Sequence, residues 1–269
     1  MTTATPGPQR RNRSQQTTHV AIGIIIALLA ALGAWVVIGT LNKPQPPAPQ
    51  PPSFSVETIG TSVNGAAIEA YRFGSGTKRY LVVGGIHGNE YGVDVGSALV
   101  SRLKSDPSLV PSDTEIDVIP LANPDGRAAD TRANARGVDL NRNFPSKNWS
   151  SKLAKGDRTK LSGGASAGSE PETQALIKYL DRGFSGVLSL HSKGGIVDYD
   201  GPGGDVVAKR VSARIGLPIS HVAYQPSVRG SMGIYVPEKY SLPVITLELK
   251  SSELSAEVLG GVLAFASPN

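Results

Sequence analysis

Short apolar stretches alternate with amphipathic ones along residues 54–265, and their two periods predict an α/β fold. Alternating or continuous apolar residues bounded by turn residues predict strands at 54–59, 67–73, 80–84, 115–121, 186–190 and 243–249. Helical spacing of apolar residues predicts helices at 91–103, 205–215 and 253–265. This order predicts one domain with a central mixed β-sheet flanked by helices.

Three local signals complete this outline. Asn64-Gly65 is a turn sequence that would pair the first two strands. Ser169 and Glu172 form the pattern of a capping box, which predicts a helix that extends to about residue 181. Residues 122–161 are polar and lack a clear period, which predicts a long loop, and loops of that length inside a compact domain are usually functional.

The N-terminal 53 residues follow a different pattern. Residues 1–19 are polar and predict a disordered tail. Residues 20–41 contain no charge and would span about 33 Å as a helix, which predicts a transmembrane helix. Six prolines in residues 43–53 predict a semi-rigid linker at 42–53, ahead of a single domain at 54–269.

Charge changes the picture mainly at this N-terminal end. The chain of 269 residues has a formal charge of +5, but residues 54–269 hold 23 basic and 22 acidic side chains. That balance gives no support for a nucleic-acid partner. Arg10, Arg11 and Arg13 precede the apolar run, so the N-terminus is expected in the cytoplasm and the domain outside it. The alternatives are a buried core helix and a cleaved signal peptide, but the run is longer than the apolar stretch of a usual signal peptide and has no convincing cleavage site after it.

The chain has no cysteine, which excludes disulfides, thiol catalysis, iron–sulfur clusters and cysteine-based zinc sites. A metal would have to be held by histidines and carboxylates. His87 and Glu90 are three residues apart on a predicted strand-to-helix turn, and His191 follows a strand about a hundred residues later. Two close ligands and one remote ligand are typical of a catalytic zinc site. The alternatives are a solvated loop histidine at 87 and a structural histidine at a sheet edge at 191.

Two further features suggest catalysis and carboxylate binding. Glu248 lies in an apolar strand, where a carboxylate is costly unless it is paired or functional, so a general base is one interpretation and a solvent-facing edge glutamate the other. Arg132 and the stretch 137–145 combine arginines with side-chain amides, a combination suited to binding a carboxylate. The alternative for this stretch is a basic loop on a solvated surface.

Together these residues resemble the zinc metallocarboxypeptidase family, the carboxypeptidase A-like enzymes. The shared motifs are His-Gly-Asn-Glu at 87–90, the stretch 137–145 and Thr-Leu-Glu-Leu at 246–249, in the family's order. The sequence is most similar to the small bacterial branch of murein-peptide amidases, which cut γ-D-glutamyl-diaminopimelate bonds. The resemblance covers about residues 80–249 and implies that family's fold.

The resemblance also implies a role for each matching residue. One zinc ion would be bound by His87, Glu90 and His191. Asp139 would orient the first histidine, and Glu248 would be the general base that activates a zinc-bound water. The remaining matches are Arg132 for the oxyanion, with Arg136 as the alternative; Asn141 and Arg142 for the substrate's carboxylate; and Tyr224 as a substrate cap, with Tyr235 as the alternative.

Two positions fit less well. His221 matches no family role. The family's enzymes for basic C-terminal residues have an acid shortly after a Gly-Ser pair, whereas this chain has Met232 or Gly233 there, which argues against a lysine or arginine carboxypeptidase.

The sequence therefore predicts a membrane-anchored, extracytoplasmic zinc carboxypeptidase or amidase. It would hydrolyse an amide bond next to a free carboxylate, with peptidoglycan stem peptide as the expected substrate. The alternatives are a general metallocarboxypeptidase acting on exported peptides, an aspartoacylase-like deacylase and a non-catalytic binding module. The deacylases lack the 137–145 stretch, which disfavours a deacylase. The presence of every metal ligand, the base and the arginines disfavours a non-catalytic binding module.

Overall fold

The computed structural model describes residues 54–152, 161–222 and 228–267. The predicted tail, transmembrane helix and linker at 1–19, 20–41 and 42–53 lie outside these residues, as does Tyr224. Within the described ranges, the helices are too short or too polar to cross a membrane.

The described residues form one mixed sheet of seven strands in the order β1-β2-β4-β3-β5-β7-β6. The strands are β1 (Phe54–Thr61), β2 (Ala67–Gly74), β3 (Lys78–Val83), β4 (Thr114–Ile119), β5 (Gly186–Ser192), β6 (Val197–Asp200) and β7 (Val244–Leu249). The central strands β4, β3, β5 and β7 are parallel, and β1, β2 and β6 are antiparallel to their neighbours. The carboxyl ends of β3, β5 and β7 therefore meet at one edge of the sheet, where open α/β sheets bind ligands.

Helices cover both faces of this sheet. They are α1 (Gly92–Ser105), α2 (Pro124–Ala128), α3 (Pro171–Leu180), α4 (Gly204–Ile215), α5 (Met232–Tyr240) and α6 (Ala256–Phe265). Alternate residues of each strand point to opposite faces. Val82, Leu190 and Leu247 pack with α1, α4 and α6, while residues of the opposite parity pack with α3 and α5. The predicted α/β fold with a central mixed sheet is confirmed.

The predicted strands and helices agree closely with the observed ones, but the capping box is wrong. Helix α3 begins after Glu170, and its N-terminus has no side-chain cap. The Ser169 hydroxyl instead donates to the carboxylate of Glu170. The Glu172 carboxylate accepts from the backbone N–H of Val63 and from Asn134. These two side chains therefore connect separate segments of the chain rather than closing the helix end.

Several elements were not predicted. Strand β6 has four residues, of which two are acidic, too short a run to show a period. Helix α5 contains Pro237, which normally argues against a helix because it lacks an N–H. Residues 122–161, predicted as mostly loop, include α2 and a 3-10 turn at Leu140–Arg142. That turn places two candidate substrate-binding residues beside the end of the sheet.

Candidate active site

The loop after β3 carries His87 and Glu90 to the carboxyl edge of the sheet. Glycines allow this loop to pack closely against its surroundings. A side chain at Gly88 would overlap the backbone of Gly126, and one at Gly92 would overlap the carbonyl oxygen of Leu190. The Gly-rich sequence therefore allows the close packing that fixes His87 and Glu90 in position.

His87, Glu90 and His191 converge in a buried cluster. The Glu90 carboxylate lies with Oε1 2.9 Å from His87 Nδ1 and Oε2 3.0 Å from His191 Nδ1, and the two Nδ1 atoms are 3.1 Å apart. The side chains are buried, at 1%, 9% and 3% exposure. Two imidazole nitrogens and one carboxylate within 4.8 Å of one another are a donor set that fits zinc.

Asp139 fixes the orientation of His87. Its Oδ1 lies 3.0 Å from His87 Nε2 and also accepts the backbone N–H of Asn141 at 3.0 Å. Burial acts to raise the pKa of Asp139, but the His87 imidazole and then the Arg132 and Arg142 guanidinium groups hold it well below its usual range. An ionised Asp139 keeps the His87 proton on Nε2. The Nδ1 lone pair is then available to a metal.

Glu90 is ionised for a related reason. Burial acts to raise its pKa, but the imidazoles of His87 and His191 outweigh that effect and hold the pKa well below its usual range. Arg132 adds a charged contact, since its Nη1 donates to Glu90 Oε1 at 2.7 Å while its Nε donates to Asp139 Oδ2 at 2.8 Å. The cluster therefore offers a divalent cation the carboxylate of Glu90 as a ligand. The second carboxylate, that of Asp139, lies on the far side of the His87 ring.

Glu248 lies beside this cluster on the neighbouring strand. It pairs in register with His191 across the parallel strands β5 and β7, so both side chains point to the same face of the sheet. Its flanking residues Leu247 and Leu249 face the opposite side, in the core. Glu248 is half-buried, and its Oε2 accepts the backbone N–H of Gly194 at 3.3 Å. Strand β7 lies between β5 and β6, so the alternative of an edge glutamate is wrong.

A cavity of about 240 Å³ opens onto these residues. Besides the three candidate ligands and Glu248, its wall includes Arg132, Asn141 and Arg142. Asn141 Oδ1 accepts the backbone N–H of Met232 at 2.9 Å, and Arg142 Nη1 donates to the Asn141 carbonyl at 2.7 Å. Asn141 Nδ2 lies 3.4 Å from His191 Nε2. A guanidinium and an amide therefore lie within one cavity with the candidate metal ligands and base.

The structure bears on both pairs of residues that the sequence left as alternatives. Arg132 lines the cavity, whereas the Arg136 side chain is 54% exposed and lies 3.5 Å from Glu170. Tyr235 is buried in the core against Phe144, and Tyr224 lies outside the described residues. The geometry therefore favours Arg132 over Arg136 as the residue that contacts the oxyanion. It places Tyr235 in the hydrophobic core.

Three residues near the cavity were not expected there. Asp198 and Asp200 on β6 both line it, and His221 stacks on Tyr199 with its Nδ1 3.6 Å from Asp198 Oδ1. Two acids two residues apart in a strand share one face of the sheet. The sequence Asp-Tyr-Asp was the available signal. It would have placed both acids on one face only if these residues had been assigned to a strand, and four residues are too few to show a strand period.

Comparison with known proteins agrees with this geometry. The sequence profile described as zinc carboxypeptidase matches residues 48–203, a range that contains the three candidate ligands and ends before Glu248. Murein peptide amidase A of Vibrio campbellii is 34% identical over 199 residues, which cover 66% of this chain and 73% of that protein. The Escherichia coli K12 protein of the same name is 32% identical over 192 residues, or 66% and 75% of the two chains.

Two solved structures share the fold. The murein-tripeptide amidase of Escherichia coli O157 superposes with a TM-score of 0.63 at 30% identity, covering 83% of this chain and 97% of that one. Carboxypeptidase A of Helicoverpa armigera has a TM-score of 0.68 at 18% identity, covering 80% and 68%, and shows the fold alone.

Proposed function

The chain belongs to the zinc carboxypeptidase family and is a zinc-dependent hydrolase; from that premise we propose that it releases a carboxylate-bearing residue from peptidoglycan stem peptides. The observation that carries this proposal is the convergence of His87, Glu90, His191, Glu248 and Arg142 on one cavity. The similarity to murein peptide amidases, each matched over about three quarters of its length, supports the substrate class.

His87, Glu90 and His191 would hold the zinc ion. When bound, zinc supplies the positive charge that polarises a carbonyl group and makes water more acidic. The chain contributes the orientation of this site, because Asp139 holds the His87 ring and Arg132 holds both Asp139 and Glu90. These contacts fix the site before substrate arrives, so little reorganisation is needed.

Glu248 is the proposed general base. Its carboxylate would take a proton from the water that attacks the scissile carbonyl carbon, and would pass that proton to the departing nitrogen as the C–N bond breaks. The products are then a carboxylic acid and a free amine. Its half-buried position next to His191 allows contact with both the water and the leaving group.

Arg142 and Asn141 are proposed to hold the free carboxylate of the residue that leaves. The guanidinium offers two parallel N–H groups to the carboxylate oxygens, and the amide of Asn141 adds a further donor. Arg132 is proposed to stabilise the negative charge that develops on the carbonyl oxygen. A substrate without a free carboxylate would lack the ionic contact that Arg142 makes in the cavity.

We extend the proposal to location: residues 20–41 anchor the chain in the cell membrane, with the N-terminus in the cytoplasm and the catalytic domain outside. The support is the uncharged run of 22 residues, the three arginines before it and the proline-rich segment after it. An exported domain on a short linker would face the cell wall.

A substrate panel tests the activity. The full-length chain in detergent, loaded with zinc, is incubated with three peptides: L-Ala-γ-D-Glu-diaminopimelate, the same peptide with an α linkage, and the first peptide with its diaminopimelate carboxylates amidated. We expect hydrolysis of the first and little of the amidated form. Faster cleavage of the α-linked peptide would favour a general carboxypeptidase. Bound zinc with no hydrolysis of any peptide would favour a binding module.

A further inference from the structure

Two buried glutamates at the start of helix α3 have no part in the proposed chemistry. Glu170 and Glu172 are 2% and 0% exposed, and the sequence pattern that contains them does not cap the helix. A carboxylate is kept in the interior only where hydrogen-bond donors replace the lost water. The donor that both share is the side-chain amide of Asn134, whose Nδ2 lies 2.8 Å from Glu170 Oε2 and 3.2 Å from Glu172 Oε2. This amide links helix α3 to the loop that carries the candidate site residues.

The Asn134 side chain uses its full hydrogen-bonding capacity. Its Nδ2 donates to the two glutamates, and its Oδ1 accepts the backbone N–H groups of Arg136 and Val138 at 3.0 and 3.1 Å. The backbone N–H of Asn134 also donates to the Val138 carbonyl at 2.9 Å. Neither aspartate nor leucine, which have about the same size, could make this set of contacts.

The turn that Asn134 closes separates Arg132 from Asp139. Arg132 lies two residues before Asn134, and Asp139 directly follows Val138. Because Asn134 bonds both the N–H and the C=O of Val138, it brings the two ends of the turn together. Arg132 Nε then reaches Asp139 Oδ2 at 2.8 Å, and Asp139 in turn holds the His87 ring. The contacts of Asn134 are therefore continuous with those that orient the first candidate zinc ligand.

The far end of the loop is tied to the same helix. Asn143 accepts the backbone N–H of Glu170 with its Oδ1 at 3.1 Å. Glu172 is itself fixed, since its Oε1 accepts the backbone N–H of Val63, just beyond strand β1, at 3.1 Å. The N-terminus of helix α3 therefore holds both ends of residues 134–143, the stretch that contains the candidate carboxylate-binding residues.

We infer that Asn134, Glu170 and Glu172 are positioning residues for the reaction. They hold the loop in the form in which Arg132 and Asp139 contact the metal ligands, and they act on zinc affinity through Asp139. None of the three touches the substrate or the metal. This inference rests on the proposed function, because it gives these residues a part in preparing that site.

Replacing the shared donor tests the link. Asn134→Asp keeps the Oδ1 acceptor of the turn but places an oxygen, in the position of Nδ2, against two carboxylates. We expect zinc affinity, measured by chelator competition on the full-length chain in detergent, to fall about 10–100-fold. Gln174→Glu, an exposed amide-to-acid change on the same helix, is the control and should leave affinity within about twofold.

A charge-conserving second substitution should rescue this variant. Asn134→Asp with Glu172→Gln has the wild-type charge, because the glutamine amide can donate to the new aspartate while its Oε1 still accepts the Val63 N–H. Glu172 suits the exchange better than Glu170, whose Oε2 has a positive neighbour in Arg136 Nη1 at 3.5 Å. We expect zinc affinity to return to within about threefold of wild type. A double variant that binds zinc no better than Asn134→Asp would contradict the assigned pairing.

A second comparison separates positioning from a general structural role. If Asn134 acts through Asp139, Asn134→Asp should lower zinc affinity less than about threefold further in a chain that already carries Asp139→Asn. Fully additive losses, or unchanged zinc affinity in Asn134→Asp, would overturn the inference. Should urea unfolding show that Asn134→Asp does not fold, Asn134→Ser, which keeps one donor, takes its place and should lose at least about fivefold in zinc affinity. The affinity is measured without turnover, so a chain that binds zinc but hydrolyses no peptide would refute the proposed function and leave this test intact.

Discussion

Asp200→Asn should stabilise the folded chain, and the gain should grow with pH. In the folded state Asp200 has no hydrogen-bond or ion-pair partner among the described residues, and burial and then the neighbouring Asp198 raise its pKa to about 7, against an ordinary value of 3.8. Between these values the unfolded chain loses the proton while the folded chain retains it, so wild-type stability falls as the pH rises through this window. The asparagine side chain of the variant has no proton to lose, so the variant escapes this penalty.

The size of the stability difference follows from the pKa shift of Asp200. Three pKa units at about 1.36 kcal/mol each give an upper limit of about 4 kcal/mol above pH 7, and relaxation around the buried group reduces it to roughly 1–4 kcal/mol. Near pH 4 the difference should approach zero. Asp198 is the charged neighbour on the same strand, and Gly233 on the packed helix α5 adds no charge.

Urea unfolding of the full-length chain in detergent and chelator, followed by tryptophan fluorescence at pH 4.5, 6 and 8, measures this difference. Chelator removes any contribution from bound zinc. Asp205→Asn serves as the control, because an exposed carboxylate should give a small difference that varies little across this range. If Asp200→Asn were no more stable than wild type at pH 8, the conclusion that the buried Asp200 carboxyl has no compensating partner among the described residues would be refuted.

Three further substitutions test the site. Asp139→Asn should lower zinc affinity about 10–100-fold in a chelator competition, because His87 loses the carboxylate that orients it; Asp113→Asn, on an exposed turn, should leave affinity unchanged. Arg142→Lys should raise KM about tenfold or more and change kcat less, because a single ammonium replaces a two-pronged contact; an equal loss in kcat would argue against a binding role. Arg132→Lys should lower kcat about 100-fold while Arg136→Lys stays within twofold, and the reverse order would exchange their roles.

Much of the fold could be predicted because the parallel strands are apolar and well bounded. Strands β3, β5 and β7 were found within a few residues of their observed limits, and the candidate ligands follow from their ends. Strand β6 was missed because its structure depends on pairing with β7, which is distant in sequence. Helix α5 was missed because packing around Tyr235 and Val236 overrides the effect of Pro237.

The same division applies to the site. His87, Glu90, His191 and Glu248 belong to short motifs that can be recognised locally, and the structure brings them together. Asp200 could not be recognised in this way. Its place in the cavity wall depends on sheet register, burial and the small residue at 233, none of which is a local property of Val-Asp-Tyr-Asp. The sequence showed that Gly233 is not acidic, but it could not show that the Asp200 carboxylate lies beside this glycine, 2.5 Å from where a Cβ atom would be.

The most direct test of the central claim is product analysis of L-Ala-γ-D-Glu-diaminopimelate by mass spectrometry, with zinc content measured on the same samples. The wild-type chain should bind about one zinc ion and release free diaminopimelate with L-Ala-γ-D-Glu. Glu248→Gln should retain the zinc and lose at least about 100-fold in rate, while the exposed Glu253→Gln should behave as wild type. Full activity in Glu248→Gln, or cleavage at the alanine bond instead, would contradict the account.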